Sequence, residues 1–175
     1  MSSISIIGVG SMASAFAGRA LAGDIVIVAV PYVSAVAVIG EYGDALHGKA
    51  IIDITNPVTP DLTGFVTPDG SSGAQEIAKA APAGAHVVKA FNTLFANVLK
   101  VGSAEGRPLD VFIAGDDAQA KAHVSKFIES LGLHPMDAGQ LPMARALENA
   151  GLLQLGLMTH SVKHTNFVLG VSILS

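Results

Sequence analysis

Residues 3–16 read SISIIGVGSMASAF, an apolar run followed by two glycines one residue apart and then by small residues. This pattern predicts a strand, a tight turn and the beginning of a helix. Gly8 can adopt turn dihedrals that a side chain resists, and Gly10 leaves room for a phosphate to approach the backbone. Ala13 lets the helix pack close to the strand. The G-x-G-x-x-A sequence, with free amides at the helix N-terminus, is therefore typical of a dinucleotide-binding turn.

Predicted strands and helices alternate along the rest of the chain. The run Ile25–Val30 is β-branched without polar alternation, as expected for a parallel strand that is covered on both faces. Further strands are predicted over residues 49–55, 85–90, 109–114 and 134–138. Helices are predicted over residues 11–22, 32–46, 72–81, 117–131 and about 141–164, with a short one ending near residue 100. The alternation predicts an α/β fold, a Rossmann-like open parallel sheet with helices on both faces.

The length of 175 residues predicts a single dinucleotide-binding domain over 1–175, with an apolar C-terminal helix and an apolar tail over residues 167–174 that adds an edge strand or docks on a partner. Half of the residues are apolar and only 14% are charged, so we expect a second subunit to cover part of the surface, most simply in a homodimer. The net charge of −4 and the scattered Lys and Arg residues disfavour nucleic acid as a partner.

Membrane insertion is also not expected. The uncharged run Ile25–Gly40 is too short to span a bilayer and is broken by Pro31. No charged leader with an apolar core precedes the glycine turn, so the expected location is the cytoplasm. The absence of cysteine excludes disulfides and thiolate metal sites.

Six segments of the chain resemble one family when they are taken together. IIGVGSMASAFA, VIVAVPY, IIDITNP, VVKAFNT, VFIAGDD and MDAGQLPMARALE occur in the order and rough spacing found in the NADP-dependent oxidoreductases that reduce the deazaflavin coenzyme F-420. The resemblance covers nearly the whole chain. It implies hydride transfer between nicotinamide C4 and a flat acceptor that is stacked against it, a deazaflavin or a flavin.

The resemblance also implies roles for the loops at the strand ends. The loop that would hold the pyrophosphate comprises Gly8, Val9, Gly10, Ser11 and Met12. The residues that would lie along the ribose and nicotinamide are Ala29, Val30, Pro31, Tyr32, Asn56 and Pro57. The segment that would flank the small-molecule acceptor comprises Lys89, Ala90, Phe91, Asn92 and Thr93. The cofactor would be NADP, with NAD not excluded.

Hydride transfer to a flavin-like ring needs two rings held face to face, and the cofactors carry the reaction. No catalytic residue is therefore assigned. Two alternatives remain open: a dinucleotide-binding module without catalysis, and a carbonyl or imine reductase on the same scaffold. The second alternative requires a positioned acid, for which the candidates are Lys89, Tyr32 or a histidine.

Several polar residues have structural interpretations. Lys89 is either a solvated strand end or an acid, and Asp53 is expected to accept hydrogen bonds from nearby backbone or from the Thr55 hydroxyl. Arg145 and Glu148 are three apart on a predicted helix, which favours an ordinary ion pair over an acceptor contact. The histidines at 160 and 164 have the spacing of a metal pair but no third ligand, so no metal is expected.

One feature of a complete dinucleotide fold is missing. In that fold a second strand follows the first helix, and its end carries an acid for the ribose or an Arg for a 2′-phosphate about twenty residues beyond the glycine motif. Here that distance falls in the apolar AVPYV, so the second and third strands are predicted to be absent. Three explanations stay open: the helix packs on the opposite face, a partner subunit completes the sheet, or the given chain lacks residues. We expect less than about tenfold discrimination between NAD and NADP.

Overall fold

The structure is a computed structural model, and it describes residues 4–8, 23–101, 103–104 and 106–174. The helix predicted over residues 11–22 lies outside this part of the chain. So do four of the predicted pyrophosphate-loop residues, Val9, Gly10, Ser11 and Met12.

The described chain contains strands and helices in near alternation. The strands are β1 Ile4–Gly8, β2 Ile25–Ala29, β3 Ala50–Asp53, β4 His86–Lys89, β5 Ser103–Ala104, β6 Arg107–Pro108, β7 Asp110–Gly115 and β8 His134–Asp137. The helices are α1 Tyr32–Tyr42, α2 Gly73–Ala80, α3 Ala96–Val101, α4 Ala118–Ser130 and α5 Ala144–Leu157. Most lie within two residues of the predicted bounds.

The main sheet has the strand order β1-β2-β3-β4-β7-β8, while β5 and β6 form a separate antiparallel pair. Strands β1 to β4 are mutually parallel, and β8 is parallel to β7. The architecture is Rossmann-like, as predicted. Within the described residues no strand pairs with the outer side of β1, which agrees with the predicted lack of the second and third strands.

The pairing of β4 with β7 is antiparallel, so the prediction of a purely parallel sheet is wrong at this point. A parallel connection needs a crossover that carries the chain back along the sheet, usually a full helix. The segment between β4 and β7 contains only the six residues of α3 and the short pair β5–β6. A six-residue helix is only about 9 Å long, which is too short for that return.

Both faces of the sheet are covered by helices. Alternate residues of a strand enter opposite faces, so Ile52 packs in one core with Val124 of α4, and Ile51 packs in the other with Ile39 of α1. All four side chains are fully buried. This double coverage explains why the strand sequences are apolar without alternation.

Two helix starts follow the expected capping chemistry. Ser72 caps α2 in a capping box with Gln75, and Asp117 caps α4 by accepting a 2.7 Å hydrogen bond from the Ala120 amide. Side-chain oxygens at these positions satisfy amides that a helix leaves without intrahelical partners.

Two predicted helices are shorter than the sequence suggested. α1 stops at Tyr42, because Gly43 adopts a positive φ and a 3-10 turn over Gly43–Leu46 follows. The C-terminal helix is divided into a 3-10 turn at Leu141–Met143, α5, and a π-helical turn at Met158–Val162 that ends where Lys163 is left-handed.

The apolar tail does not form an edge strand in the described residues up to 174. It packs on its own chain instead. The Val171 amide donates a 2.8 Å hydrogen bond to Asp110, and the Phe167 ring lies 5.5 Å from that of Phe95 between centroids. None of the helices in the described part of the chain combines the length and apolar character needed to cross a membrane.

Candidate functional site

The carboxyl ends of β2 and β3 open into a cavity of about 500 Å³, a size that suits a small organic ligand. Gly8, the last residue of β1, is the register partner of Ala29, the last residue of β2. Gly8, the described residue of the predicted pyrophosphate turn, therefore lies next to a residue that lines the cavity. The residues that line the cavity are Ala29, Val30, Pro31, Tyr32, Val33, Ile54, Thr55, Asn56, Pro57, Val58, Pro60 and Val66.

The structure brings together six residues that were predicted to contact the ribose and nicotinamide: Ala29, Val30, Pro31, Tyr32, Asn56 and Pro57. Sequence reasoning missed the other half of the lining: Val33, Ile54, Thr55, Val58, Pro60 and Val66. These residues flank the predicted ones at the start of α1 and in the segment after β3, so a wider window around AVPYV and ITNPV would have included them.

The lining is mostly apolar, and among the described lining residues Tyr32 is the only one with an ionisable side chain. Burial raises the pKa of Tyr32, and the nearby carboxylates of Glu76, Glu148 and Asp53 raise it further. The phenol consequently stays neutral at physiological pH. Such a cavity suits an uncharged flat ring that is oriented by a few polar groups.

One wall of the cavity is formed by residues 57–67, which we call the flap. Val58 and Phe65 form an antiparallel bridge across it, and the Val66 amide donates a 2.8 Å hydrogen bond to the Pro57 carbonyl. The flap residues that face the cavity are Pro57, Val58, Pro60 and Val66. The two prolines restrict the backbone, so the apolar wall is partly preorganised.

A buried charge cluster of Asp53, Lys89 and Glu148 adjoins the cavity through the backbone of the lining residue Thr55. The Lys89 ammonium lies 2.8 Å from Asp53 Oδ2 and 3.0 Å from Glu148 Oε1, and it also donates to the Thr55 carbonyl. All three charged side chains are fully buried. Lys89 thus directs its three N–H bonds at three acceptors.

The topology explains why these side chains meet. Asp53 and Lys89 are register partners at the ends of neighbouring parallel strands, so their side chains project on the same side of the sheet. Asp53 also accepts a 2.8 Å hydrogen bond from the Thr55 amide. Glu148 comes from α5, which packs against the same region.

Glu148 also binds the beginning of α2, because its Oε1 accepts a 2.9 Å hydrogen bond from the Gly73 amide. A carboxylate at a helix N-terminus is favoured by the helix dipole. Burial raises the pKa of Glu148; Lys89 and the Gly73 amide oppose this shift without cancelling it, and the charge of Asp53 adds to it. Glu148 Oε2 is buried and has no hydrogen-bond partner among the described residues.

Asn56 and Asn92 tie the loops after β3 and β4 together. Asn56 Nδ2 donates to the Asn92 carbonyl at 2.7 Å, and Asn92 Nδ2 donates to Asn56 Oδ1 at 2.9 Å and to the Leu147 carbonyl at 2.8 Å. Gly151 of α5 packs on Asn56, where a Cβ would lie 2.4 Å from Oδ1. The pair therefore fixes the cavity loops to α5.

The predicted acceptor segment follows β4. Its residues Lys89, Ala90, Phe91, Asn92 and Thr93 are all buried. Phe91 has a φ of 62°, a left-handed conformation that is rare for a residue with a bulky side chain and often accompanies a functional site. Contact of this segment with an acceptor stays a prediction.

Two structural interpretations made from the sequence are wrong. Lys89 is not a solvated strand end, because it is fully buried among carboxylates. Arg145 and Glu148 do not pair: Glu148 turns inward to Lys89, while Arg145 binds the flap residue Thr67 at 3.0 Å. Asp53 accepts a backbone hydrogen bond as expected, but the Thr55 hydroxyl is unpartnered.

Metal ligands do not come together in the part of the chain that the structure describes. No group of three or more His, Asp or Glu side chains there could hold a metal ion. The histidines at 160 and 164, for which no metal was expected, are both exposed, at and just beyond the π-helical turn.

No family model matches the chain. The F420-dependent NADP reductase of Methanothermobacter marburgensis is 29% identical over 142 residues, which are 77% of this chain and 62% of that enzyme. A crystal structure of a candidate F420-dependent NADP-reductase from Arthrobacter sp. FB24 has a TM-score of 0.77 at 28% identity, and the match covers 86% of this chain and 70% of the other. The chain is thus similar to F420-dependent NADP reductases in both sequence and fold.

The resemblance of the six sequence segments to this family is thereby confirmed. Another relative is the metalloreductase STEAP3 of Rattus norvegicus, which is 36% identical over 105 residues. That match covers 60% of this chain but only 20% of the rat protein. The chain therefore spans less than two thirds of the length of both curated relatives.

Proposed function

We propose that this chain is an oxidoreductase that binds NADP(H) with its nicotinamide in the cavity and transfers a hydride to a deazaflavin or flavin acceptor. The observation that carries the proposal is the placement of the cavity beside Gly8, where the predicted pyrophosphate turn begins. The similarity to the F420-dependent NADP reductases supports NADP as the donor.

The chemistry of the lining supports hydride transfer without acid–base catalysis. A hydride moves between two stacked rings when both are held at short distance in a site that excludes water. The apolar flap and the loop of β2 provide such walls, while Asn56 and Thr55 offer polar contacts. Lys89, in contrast, directs its ammonium hydrogens to three internal acceptors.

In this proposal the buried charge cluster and the Asn56–Asn92 pair have a positioning role. They join the ends of β3 and β4 to α5 and to the start of α2, so the loops around the nicotinamide are held by fixed elements. Rigid packing and hydrogen bonds around a site keep the reacting groups at the distance and orientation that the reaction needs. The acceptor would stack on the exposed side of the nicotinamide, next to residues 89–93.

We also propose that the functional unit is a homodimer. Leu153 of α5 is 56% exposed, and Ile173 and Leu174 of the tail are about nine-tenths exposed. Large apolar side chains in these positions are suited to contact with a second subunit. Light scattering coupled to gel filtration gives the mass in solution.

The experiment that tests the proposed function compares two variants of α1. Val33 is 80% exposed and lines the cavity, whereas Val36 is exposed one turn later and does not line it. We expect wild-type protein to oxidise NADPH with F-420, FMN or FAD.

The Val33→Trp variant should raise the KM for NADPH at least about tenfold by filling the cavity mouth, and Val36→Trp should leave it unchanged. Absence of turnover with all three acceptors would contradict the proposal, and tight NADP binding without turnover would favour a non-catalytic binding module.

One observation favours a second candidate, a carbonyl or imine reductase. Tyr32 is the cavity's ionisable side chain among the described residues, and its neutral phenol could donate a proton to a substrate. Tyr32→Phe should then reduce turnover of a cyclic imine by about a hundredfold or more without weakening NADPH binding. In the deazaflavin reaction the same variant should retain most of its activity.

A further inference from the structure

Arg145 reaches from α5 to the flap. Its Cζ lies 3.8 Å from the centroid of the Phe65 ring, and its Nη1 donates a 3.0 Å hydrogen bond to Thr67 Oγ1. Among the described residues no carboxylate lies within 4.0 Å of its guanidinium. The side chain is thus committed to the flap rather than to an ion pair.

The two sides of the flap face different surroundings. Phe65 and Thr67 contact Arg145, while Val66, which lies between them, lines the cavity. The chain bends at Val66 and Thr67, directly after the bridge residue Phe65, and the contacts with Arg145 and with the cavity therefore come from neighbouring residues of one short segment. Arg145 therefore contacts the flap at Phe65 and Thr67, next to the residue through which the flap lines the cavity.

The helix that carries Arg145 is itself anchored. Glu148, three residues later, is buried against Lys89 and the Gly73 amide, and Gly151 packs on Asn56. The position of Arg145 is consequently fixed relative to the ends of β3 and β4. A contact from this rigid helix can set the position of the flap.

We propose that Arg145 is a positioning residue that sets the gap between the flap and the loop after β2, and thereby makes the cavity selective for a flat ring. The proposal rests on the proposed function, since the ring is the nicotinamide of the cofactor. Arg145 acts through Phe65 and Thr67 and does not touch the ligand. A lysine could not replace it, because only the planar guanidinium stacks on a ring and donates in its own plane at once.

The test separates the two ends of the cofactor by calorimetric titration with two fragments. Reduced nicotinamide mononucleotide probes the cavity, and adenosine 2′,5′-bisphosphate probes the other end. We expect Arg145→Met, Arg145→Lys and Phe65→Leu each to weaken binding of the nicotinamide fragment about five- to tenfold and to leave the adenosine fragment unchanged. The Arg145→Met/Phe65→Leu double variant should bind the nicotinamide fragment about as tightly as whichever single variant binds it less tightly. Both changes remove the same contact, so their effects do not add.

Arg107→Met is the matched control. Arg107 is exposed on β6, so this substitution removes the same charge at a position away from the flap. Equal weakening of both fragments, or an equal effect in the control, would show a general loss of stability and overturn the inference. Unchanged nicotinamide binding in the Arg145 and Phe65 variants would also overturn it while leaving the proposed function intact. If wild-type protein binds neither fragment, the proposed function fails together with the inference. Phe65→Leu keeps an apolar side chain at a half-buried position, so this variant carries the test if Arg145→Met does not fold.

Discussion

Glu148 Oε1 lies 3.0 Å from Lys89 Nζ, and both side chains are fully buried. Lys89 comes from the end of β4 and Glu148 from the middle of α5, so this ion pair joins the sheet to the C-terminal helix. The Asp53 carboxylate lies on the same ammonium at 2.8 Å. Two carboxylates and one ammonium thus share a site that solvent does not reach.

Replacement of Lys89 by methionine should strongly destabilise the fold. It leaves two buried carboxylates without a counter-charge, and breaking a buried pair in this way costs about 3–5 kcal/mol. Urea denaturation measures the free energy of unfolding. Lys126→Met, an exposed change on α4, is the control and should stay within about 0.5 kcal/mol of wild type.

A neutral triple variant, Asp53→Asn with Lys89→Met and Glu148→Gln, should be less destabilised than Lys89→Met alone, because no uncompensated charge remains. Equal stability of Lys89→Met and wild type would show that the cluster is not buried as described. The result also bears on the reductase alternatives: loss of activity in Lys89→Met would reflect unfolding, not a missing acid.

The raised pKa of Glu148 predicts how stability depends on pH. A carboxyl whose pKa is higher in the folded state binds its proton more tightly there, so folding is favoured at acidic pH. This contribution is complete below the ordinary value near 4.5 and is lost as pH rises through the raised value. Glu148→Gln is neutral at every pH and lacks the effect.

The free energy of unfolding of wild type minus that of Glu148→Gln should therefore fall as pH increases from about 4.5. Asp61, Glu76, Asp110 and Asp137 have lowered pKa values and act in the opposite direction, but they are present in both proteins and cancel in the difference. A difference that rises with pH would mean that Lys89 outweighs burial and lowers the pKa.

Two glycines of α5 predict opposite outcomes for the same substitution. At Gly151 a Cβ would lie 2.4 Å from Asn56 Oδ1, so Gly151→Ala should break the Asn56–Asn92 pair and destabilise the protein by about 1–3 kcal/mol. A Cβ at Gly156 would have no neighbouring heavy atom within 4 Å outside its own helix turn. Gly156→Ala should stabilise the helix by about 0.5–1 kcal/mol. Thermal unfolding monitored by circular dichroism compares them, and equal effects would contradict the described packing of α5.

The sequence predicted the strand positions well because each strand is a short apolar run bounded by polar or turn residues, as at Ile25–Val30. It could not predict that β7 runs antiparallel to β4, since strand direction depends on the path of the connection. The two loops around AVPYV and TNP were recognisable by their prolines and their position after strands. Their convergence into one cavity follows from the parallel register.

Contacts between residues far apart in the sequence were harder to predict than the strands. Lys89 and Asp53 were visible as charges at the ends of apolar strands, but their pairing requires the strand register, and Glu148 joins them from 59 residues away. The i, i+3 spacing of Arg145 and Glu148 suggested a pair because local spacing carries no information about burial. Tertiary packing gives the two side chains different partners, Lys89 for Glu148 and the flap for Arg145.

Deuterium transfer tests most directly whether a hydride passes from the nicotinamide to the deazaflavin. Wild-type protein would be incubated with F-420 and NADPH that carries deuterium at both C4 positions of the nicotinamide, and the reduced deazaflavin would be analysed by mass spectrometry. FMN and FAD would serve as parallel acceptors for NADPH oxidation. We expect the deazaflavin ring to gain the deuterium, because the hydride passes directly between two stacked rings. A reduced acceptor that carries only solvent hydrogen, or no oxidation of NADPH with any of the three acceptors, would contradict it.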